Sequence, residues 1–134
     1  MKNKAEDKNG VEDKNCSASL AAIEDTLYVI GGKWKLKIII ALREQGNMRF
    51  NEMQRTITGI SARVLSNELK ELEMNGFINR KVYTGNPVVI EYGLTAYSNS
   101  LHNVLQTMIE WGGMHRNKIK SDSKKKRLSA LKKI

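Results

Sequence analysis

The chain is poor in the residues that staple or interrupt a fold. It has one cysteine, which excludes an intrachain disulfide, and one proline, which leaves room for long unbroken helices. Phe, Trp and Tyr together make up only 6% of it, so its core is expected to be aliphatic. No apolar stretch has the length of a signal peptide or of the roughly 20 residues a membrane span needs; the longest aliphatic run is Ile38–Leu42. A cytoplasmic protein with no membrane partner is therefore expected. The two histidines, His102 and His115, have no carboxylate pair at metal-ligand spacing, and the lone Cys is distant. That makes neither a zinc site nor a nucleophile–base pair. Gly31-Gly32-Lys33 lacks the further glycine and the Ser/Thr of a phosphate loop. The sequence thus holds no catalytic constellation, calls for no cofactor or metal, and identifies no small-molecule effector.

What is present is one domain's worth of chain, 134 residues, with 40% hydrophobic and 28% charged residues. The net charge of +9 is unevenly placed. Residues 1–15 carry four Lys and four acids, and residues 16–115 ten Lys/Arg and nine acids. Residues 116–134 hold nine Lys/Arg and one acid, Asp122. A basic tail beside a near-neutral body suits attraction to nucleic acid, and equally a solvated segment that keeps the protein in solution. Three regions are expected: a flexible polar arm (1–17), a folded domain (18–115) and the basic tail (116–134). In the tail, Leu128, Leu131 and Ile134 allow a continued helix.

Leu20, Ile23, Leu27 and Ile30 recur at helical spacing up to Gly31-Gly32. Lys33–Gln45 reads as a second helix, with Trp34, Ile38 and Leu42 on one stripe and Ile39, Ile40 and Ala41 on other faces, a pattern of central burial. After a short extended Met48-Arg49 comes a third helix, marked by Phe50, Met53 and Ile57. Thr58-Gly59-Ile60 breaks it, Ser61 can cap a fourth helix, Leu65, Leu69 and Leu72 form its buried face, and Gly76 stops it. Residues 77–84 and 88–94 read as a hairpin about Gly85-Asn86-Pro87. Thr95 can cap a last helix whose apolar face comprises Leu101, Val104, Leu105, Met108, Ile109 and Trp111. The expected fold is mainly α with a small β-hairpin wing: a winged helix-turn-helix flanked by terminal dimerisation helices. The last helix has an apolar face too wide for one small domain to cover, which points to an interface formed with a second copy.

In such a fold the second helix of the pair enters the major groove. Near its start, Ser61, Ala62, Arg63, Ser66, Asn67 and Lys70 share the face opposite the leucines. Arg can fork onto a guanine edge and Asn onto an adenine edge, while Lys70 suits a phosphate. Glu68, Glu71 and Glu73 would repel phosphate and favour an ordinary solvated face. In the hairpin, Arg80, Lys81, Tyr83, Thr84 and Asn86 suit a wing contacting minor groove or backbone, or an edge kept charged against aggregation. Arg49 is a further phosphate candidate, as are Lys33 and Lys37. Duplex DNA is the expected partner; a protein-binding winged helix and a non-specific DNA-binding protein are the alternatives.

Several segments resemble the HxlR family of winged helix-turn-helix transcriptional regulators, related to the MarR group. They are Ile30-Gly31-Gly32-Lys33-Trp34-Lys35, Arg49-Phe50-Asn51-Glu52-Met53, Gly59-Ile60-Ser61-Ala62-Arg63-Val64-Leu65, Leu69-Lys70-Glu71-Leu72-Glu73, Gly76-Phe77-Ile78, Ile90-Glu91-Tyr92-Gly93-Leu94-Thr95 and Glu110-Trp111-Gly112. The likeness spans about residues 20–115 in order. It implies a sequence-specific regulator acting as a homodimer, built from its first and last helices, on an inverted-repeat operator, which adds Leu20, Ile23 and Leu27 to the interface of the last helix. Many members carry a Cys ten residues before the first Gly of the Gly-Gly-Lys-Trp motif, and in some it senses oxidants. Here Ala21 holds that position, and the single Cys16 lies five residues earlier. Cys16 is thus a redox candidate displaced from the family position, or an incidental exposed thiol.

Overall fold

Two glycines divide the first two helices, α1 (Asn3–Ile30) and α2 (Lys35–Gln45). A computed structural model describes the backbone of residues 3–132 and the side chains of residues 15–132, in two compact units that divide after Tyr97. Within the first unit, α2 has the expected central place: Ile38, Ile39, Ala41 and Leu42 are buried, and Ile40 is half-buried. Burial on more than one face is what its run of consecutive aliphatics requires. The helix begins two residues later than its pattern suggests, with Trp34 as the half-buried residue before its first turn. Helix α1 begins at Asn3 and not near Leu20. Residues 3–17, expected as part of a flexible polar arm, continue it, although they hold Gly10, three Asn and two Asp and lack the apolar period that sequence reading relies on.

Met48 forms an isolated antiparallel bridge with Tyr92, so the extended Met48-Arg49 segment adds to the edge of the hairpin. Helix α3 (Phe50–Thr56) follows, burying Met53. Gly59, at φ +87°, turns the chain in a region that side chains disfavour. Helix α4 (Ala62–Met74) starts where Ser61 predicts: the Ser61 hydroxyl accepts a hydrogen bond from the Val64 amide at 3.2 Å. Leu65, Leu69 and Leu72 are its buried residues. Its end is a Schellman turn. The Phe77 amide donates to the Leu72 carbonyl and the Gly76 amide to the Glu73 carbonyl, each at 3.0 Å, with Gly76 at φ +83° and Phe77 and Leu72 both buried.

Strands β1 (Ile78–Tyr83) and β2 (Val89–Leu94) form one antiparallel hairpin, in register from Ile78 opposite Leu94 to Tyr83 opposite Val89. Thr95 was expected to cap the last helix. Its hydroxyl donates to the Gly76 carbonyl at 2.6 Å, with the Phe77 carbonyl at 3.3 Å, tying the base of the hairpin to the end of α4 and leaving its lone pairs able to accept. A 3-10 turn, Ala96–Leu101, precedes α5 (His102–Lys132). Helix α5 passes without a break through the boundary expected at 115/116. The Lys, Arg, Leu and Ala of this stretch are good helix formers, and no Gly or Pro follows Gly113. Leu128 and Leu131 are therefore helical, whereas Ile134 lies outside the described residues.

Candidate nucleic-acid interface

Packing of α4 through its three leucines leaves its other side to solvent. Ala62, Arg63, Asn67 and Lys70 are exposed, Ser66 is half-buried, and the capping Ser61 is exposed beside them. Arg63, Asn67 and Lys70 follow at helical spacing, so two side chains able to fork onto base edges and one cation form a single row. The Ser61 oxygen already accepts the capping bond, and its O–H remains a donor for an acceptor outside the helix.

Helix α4 and the hairpin meet along a hollow of about 310 Å³ lined by Ser66, Leu69, Lys70, Glu73, Arg80 and Tyr92. Ser66, Lys70 and Arg80 are thereby brought together on its walls, with Glu73 as the one acid. The other hairpin candidates, Lys81, Thr84 and Asn86, are exposed along and beyond β1 and do not line it. Thr84 and Asn86 lie in the turn between the strands, which has a cis peptide at Asn86-Pro87. Arg49 is exposed in an extended conformation just before α3. Lys33 and Lys37 flank the Trp34 ring, with ammonium groups 4.8 and 5.1 Å from its centre. The far edge of that ring faces Gly59, so Trp34 backs the turn that separates α3 from α4.

The electrostatics of α4 depend on a residue that the sequence did not single out. Lys35, at the start of α2, is only 8% exposed, and its ammonium pairs with Glu68 at 2.8 Å and with Glu71. The Glu68 Oε2 is buried and has no hydrogen-bond partner beyond this ion pair. Burial pushes the Lys35 pKa down, but the hydrogen bonds and charges of Glu68 and Glu71 outweigh it, and the net direction is upward. One ammonium thus holds two of the three carboxylates expected to repel phosphate and offsets one of their two charges. Glu73 alone remains exposed toward the hairpin side. A Lys followed by two Glu three residues apart gives no local cue, because the partners are more than thirty residues distant in sequence.

The residues expected at a subunit interface divide. Leu20, Ile23 and Leu27 on α1 are exposed at 61%, 59% and 63%. In the second unit Val104, Met108, Ile109 and Trp111 are exposed, and Leu101 is half-buried. Leu105 departs from the expectation: it is 3% exposed in the single chain and is core, not free surface. Trp111 stacks on His115 one turn later, with ring centres 5.0 Å apart. Cys16 is exposed on α1. Among the described residues no helix is long and apolar enough to cross a membrane, and no three His, Cys, Asp or Glu gather as metal ligands.

Comparison with known proteins gives one consistent picture. The model of the HxlR-like helix-turn-helix family matches residues 29–120. The uncharacterized HTH-type transcriptional regulator YtcD of Bacillus subtilis (strain 168) is 40% identical over 102 residues, which cover 76% of this chain and 80% of YtcD. The uncharacterized HTH-type transcriptional regulator BH0655 of Halalkalibacterium halodurans is 44% identical over 92 residues, 69% of this chain and 81% of its own. Among solved structures, the reduced form of the redox regulator HypR superposes with a TM-score of 0.69 at 39% identity, over 75% of this chain and 98% of HypR.

Proposed function

Because the chain belongs to the HxlR-like helix-turn-helix family and is a transcriptional regulator with a helix-turn-helix DNA-binding domain, we propose that it acts as a homodimer on an inverted-repeat operator. Helix α4 enters the major groove, where Arg63 and Asn67 read base edges and Ser61, Ala62 and Ser66 line the approach. Lys70 and Arg80 hold phosphate at the hollow between α4 and the hairpin, and Arg49 holds a neighbouring one. The β1–β2 hairpin is the wing, with Lys81, Thr84 and Asn86 at its outer end. The observation that carries this reading is the exposed row Arg63, Asn67 and Lys70 on a helix whose opposite face is fully packed. A protein-binding version of the fold would present apolar side chains there.

The dimer reading is supported by the unpartnered apolar side chains on α1 and α5, including Leu20, Ile23, Leu27, Val104, Met108, Ile109 and Trp111. A two-fold dimer places its two recognition helices about one DNA turn apart, which requires an inverted repeat. Cys16 is the group through which an oxidant would act, being the chain's only thiol and exposed.

The test is selection of duplexes from a random-sequence pool by the purified protein, followed by sedimentation of the complex. The expected result is an enriched inverted repeat bound by two chains. Enrichment of nothing at any salt concentration, or one chain per duplex, would overturn the proposal.

A further inference from the structure

The family match ends at residue 120, yet α5 runs on to Lys132. From Arg116 to Lys132 the helix bears eight Lys or Arg and one acid. Arg116, Lys120, Lys124 and Arg127 are all exposed and follow at steps of four, four and three residues. At about 100° per residue they fall within an arc of roughly 80°, as a stripe about 17 Å long. The single acid, Asp122, lies on the far side of the helix and is held by Lys118, Nζ to Oδ2 3.1 Å. No carboxylate of this segment therefore faces the stripe. The apolar residues Val104, Met108, Trp111 and Ile119 lie roughly 130° around the same helix, while Ile109 is in line with the stripe but about two turns before Arg116. Covering that apolar face with a second copy would leave the stripe in water.

On the reading of the chain as a DNA-binding regulator, we propose that the stripe Arg116, Lys120, Lys124 and Arg127 is a second, sequence-independent contact with the backbone of duplex DNA. Its cations are spaced about 4.5–6 Å apart along the helix, so several can meet phosphates at once. The two arginines can grip phosphate oxygens with two parallel hydrogen bonds each. An anionic lipid surface fits the segment poorly. Ile119 and Leu128 are nine residues apart and so on opposite sides of the helix, and Leu131 falls among the basic residues; no apolar face exists to enter a membrane. The stripe adds affinity and range without reading sequence, and leaves base choice to α4.

The test compares the full chain with the variant Arg116→Gln/Lys120→Gln/Lys124→Gln/Arg127→Gln, which keeps good helix formers. Lys118→Gln/Lys125→Gln/Lys132→Gln, on other faces, is the control. Affinity is measured against salt concentration for the duplex enriched by selection and for a shuffled duplex of equal length, with circular dichroism confirming helix content. Each engaged phosphate contributes about 0.9 to the log–log salt slope. Between 50 and 200 mM salt the wild type should therefore lose about 10-fold more affinity than the variant if two cations are engaged, and about 150-fold more if four are. Both duplexes should lose affinity equally, so that the specificity ratio is kept, and the control should change the slope by less than about 1. An unchanged slope in the four-site variant, or losses that track only the number of charges removed from either set, would overturn the proposal while leaving operator recognition intact. Stripe-dependent binding to phosphatidylserine vesicles with no effect on either duplex would assign the stripe to a membrane instead. A wild-type chain that binds neither duplex would refute the regulator reading itself.

Discussion

Replacing Lys35 by Met should be among the most damaging single changes outside the aliphatic core. The ammonium is nearly buried and serves two carboxylates on α4. Removing one partner of a fully buried ion pair costs about 3–5 kcal/mol, because the other charge is left without compensation. Here the two carboxylates differ. The Glu68 side chain is 22% exposed and has a buried oxygen with no other partner, whereas that of Glu71 is 53% exposed and can turn to water. The expected loss is therefore about 2–4 kcal/mol, most of it from Glu68, against a total of about 5–15 kcal/mol for a small domain. Urea unfolding followed by circular dichroism measures it. Adding Glu68→Leu to Lys35→Met should restore most of the loss, since an apolar pair of similar size is often as stable as a buried ion pair. The pH dependence has a defined sign. The folded state raises the Lys35 pKa above 10.5, so the contribution is complete below 10.5 and is lost as pH climbs through the higher folded-state value. The gap between wild type and variant should be level from neutral pH to about 9 and close only above the ordinary lysine range. A Lys35→Met protein within about 0.5 kcal/mol of wild type, the range of a neutral surface change, would refute the reasoning.

Arg63→Ala should cost about 1–3 kcal/mol on the selected operator and almost nothing on a shuffled duplex; equal binding of the operator by variant and wild type in a competition assay would remove Arg63 from the reading face. Gly59→Ala meets no steric neighbour beyond ordinary contact with Trp34, but its φ of +87° is strained for any side chain. It should lower stability by about 1–2 kcal/mol in thermal unfolding, and an unchanged or raised Tm would contradict this. Cys16→Ser should leave DNA binding intact and abolish any effect of a thiol oxidant on it; an oxidant effect that persists in the variant would exclude Cys16 as its origin.

Much of this fold could be read locally. Ser61 capping, the Gly76 stop and the spacing of Leu65, Leu69 and Leu72 mark α4 nearly to the residue, because each of those signals acts within one or two helical turns. The hairpin and its turn were equally plain from alternation and from Gly85-Asn86-Pro87. The longest helices were the least legible. Residues 116–132 are rich in good helix formers and residues 3–17 are not, but neither stretch has a regular apolar stripe, so a search for apolar periodicity passes over both. Leu105 belongs to an apolar stripe that sequence cannot divide into buried and open positions. The Lys35 pairing, which decides how negative α4 is, joins residues that only the tertiary fold brings together. Thr95 matches a capping position by type, but its donation to the carbonyls at the end of α4 joins segments that no local signal connects.

In the proposed dimer two copies of α4 read adjacent major grooves of one operator. The most direct measurement is protection of guanine N7 positions from methylation on the selected duplex, with and without the protein. Two protected major-groove patches are expected, centred about 34–36 Å apart, one turn of DNA, and arranged with two-fold symmetry. A single patch, or weak protection spread evenly along the duplex, would contradict the proposal.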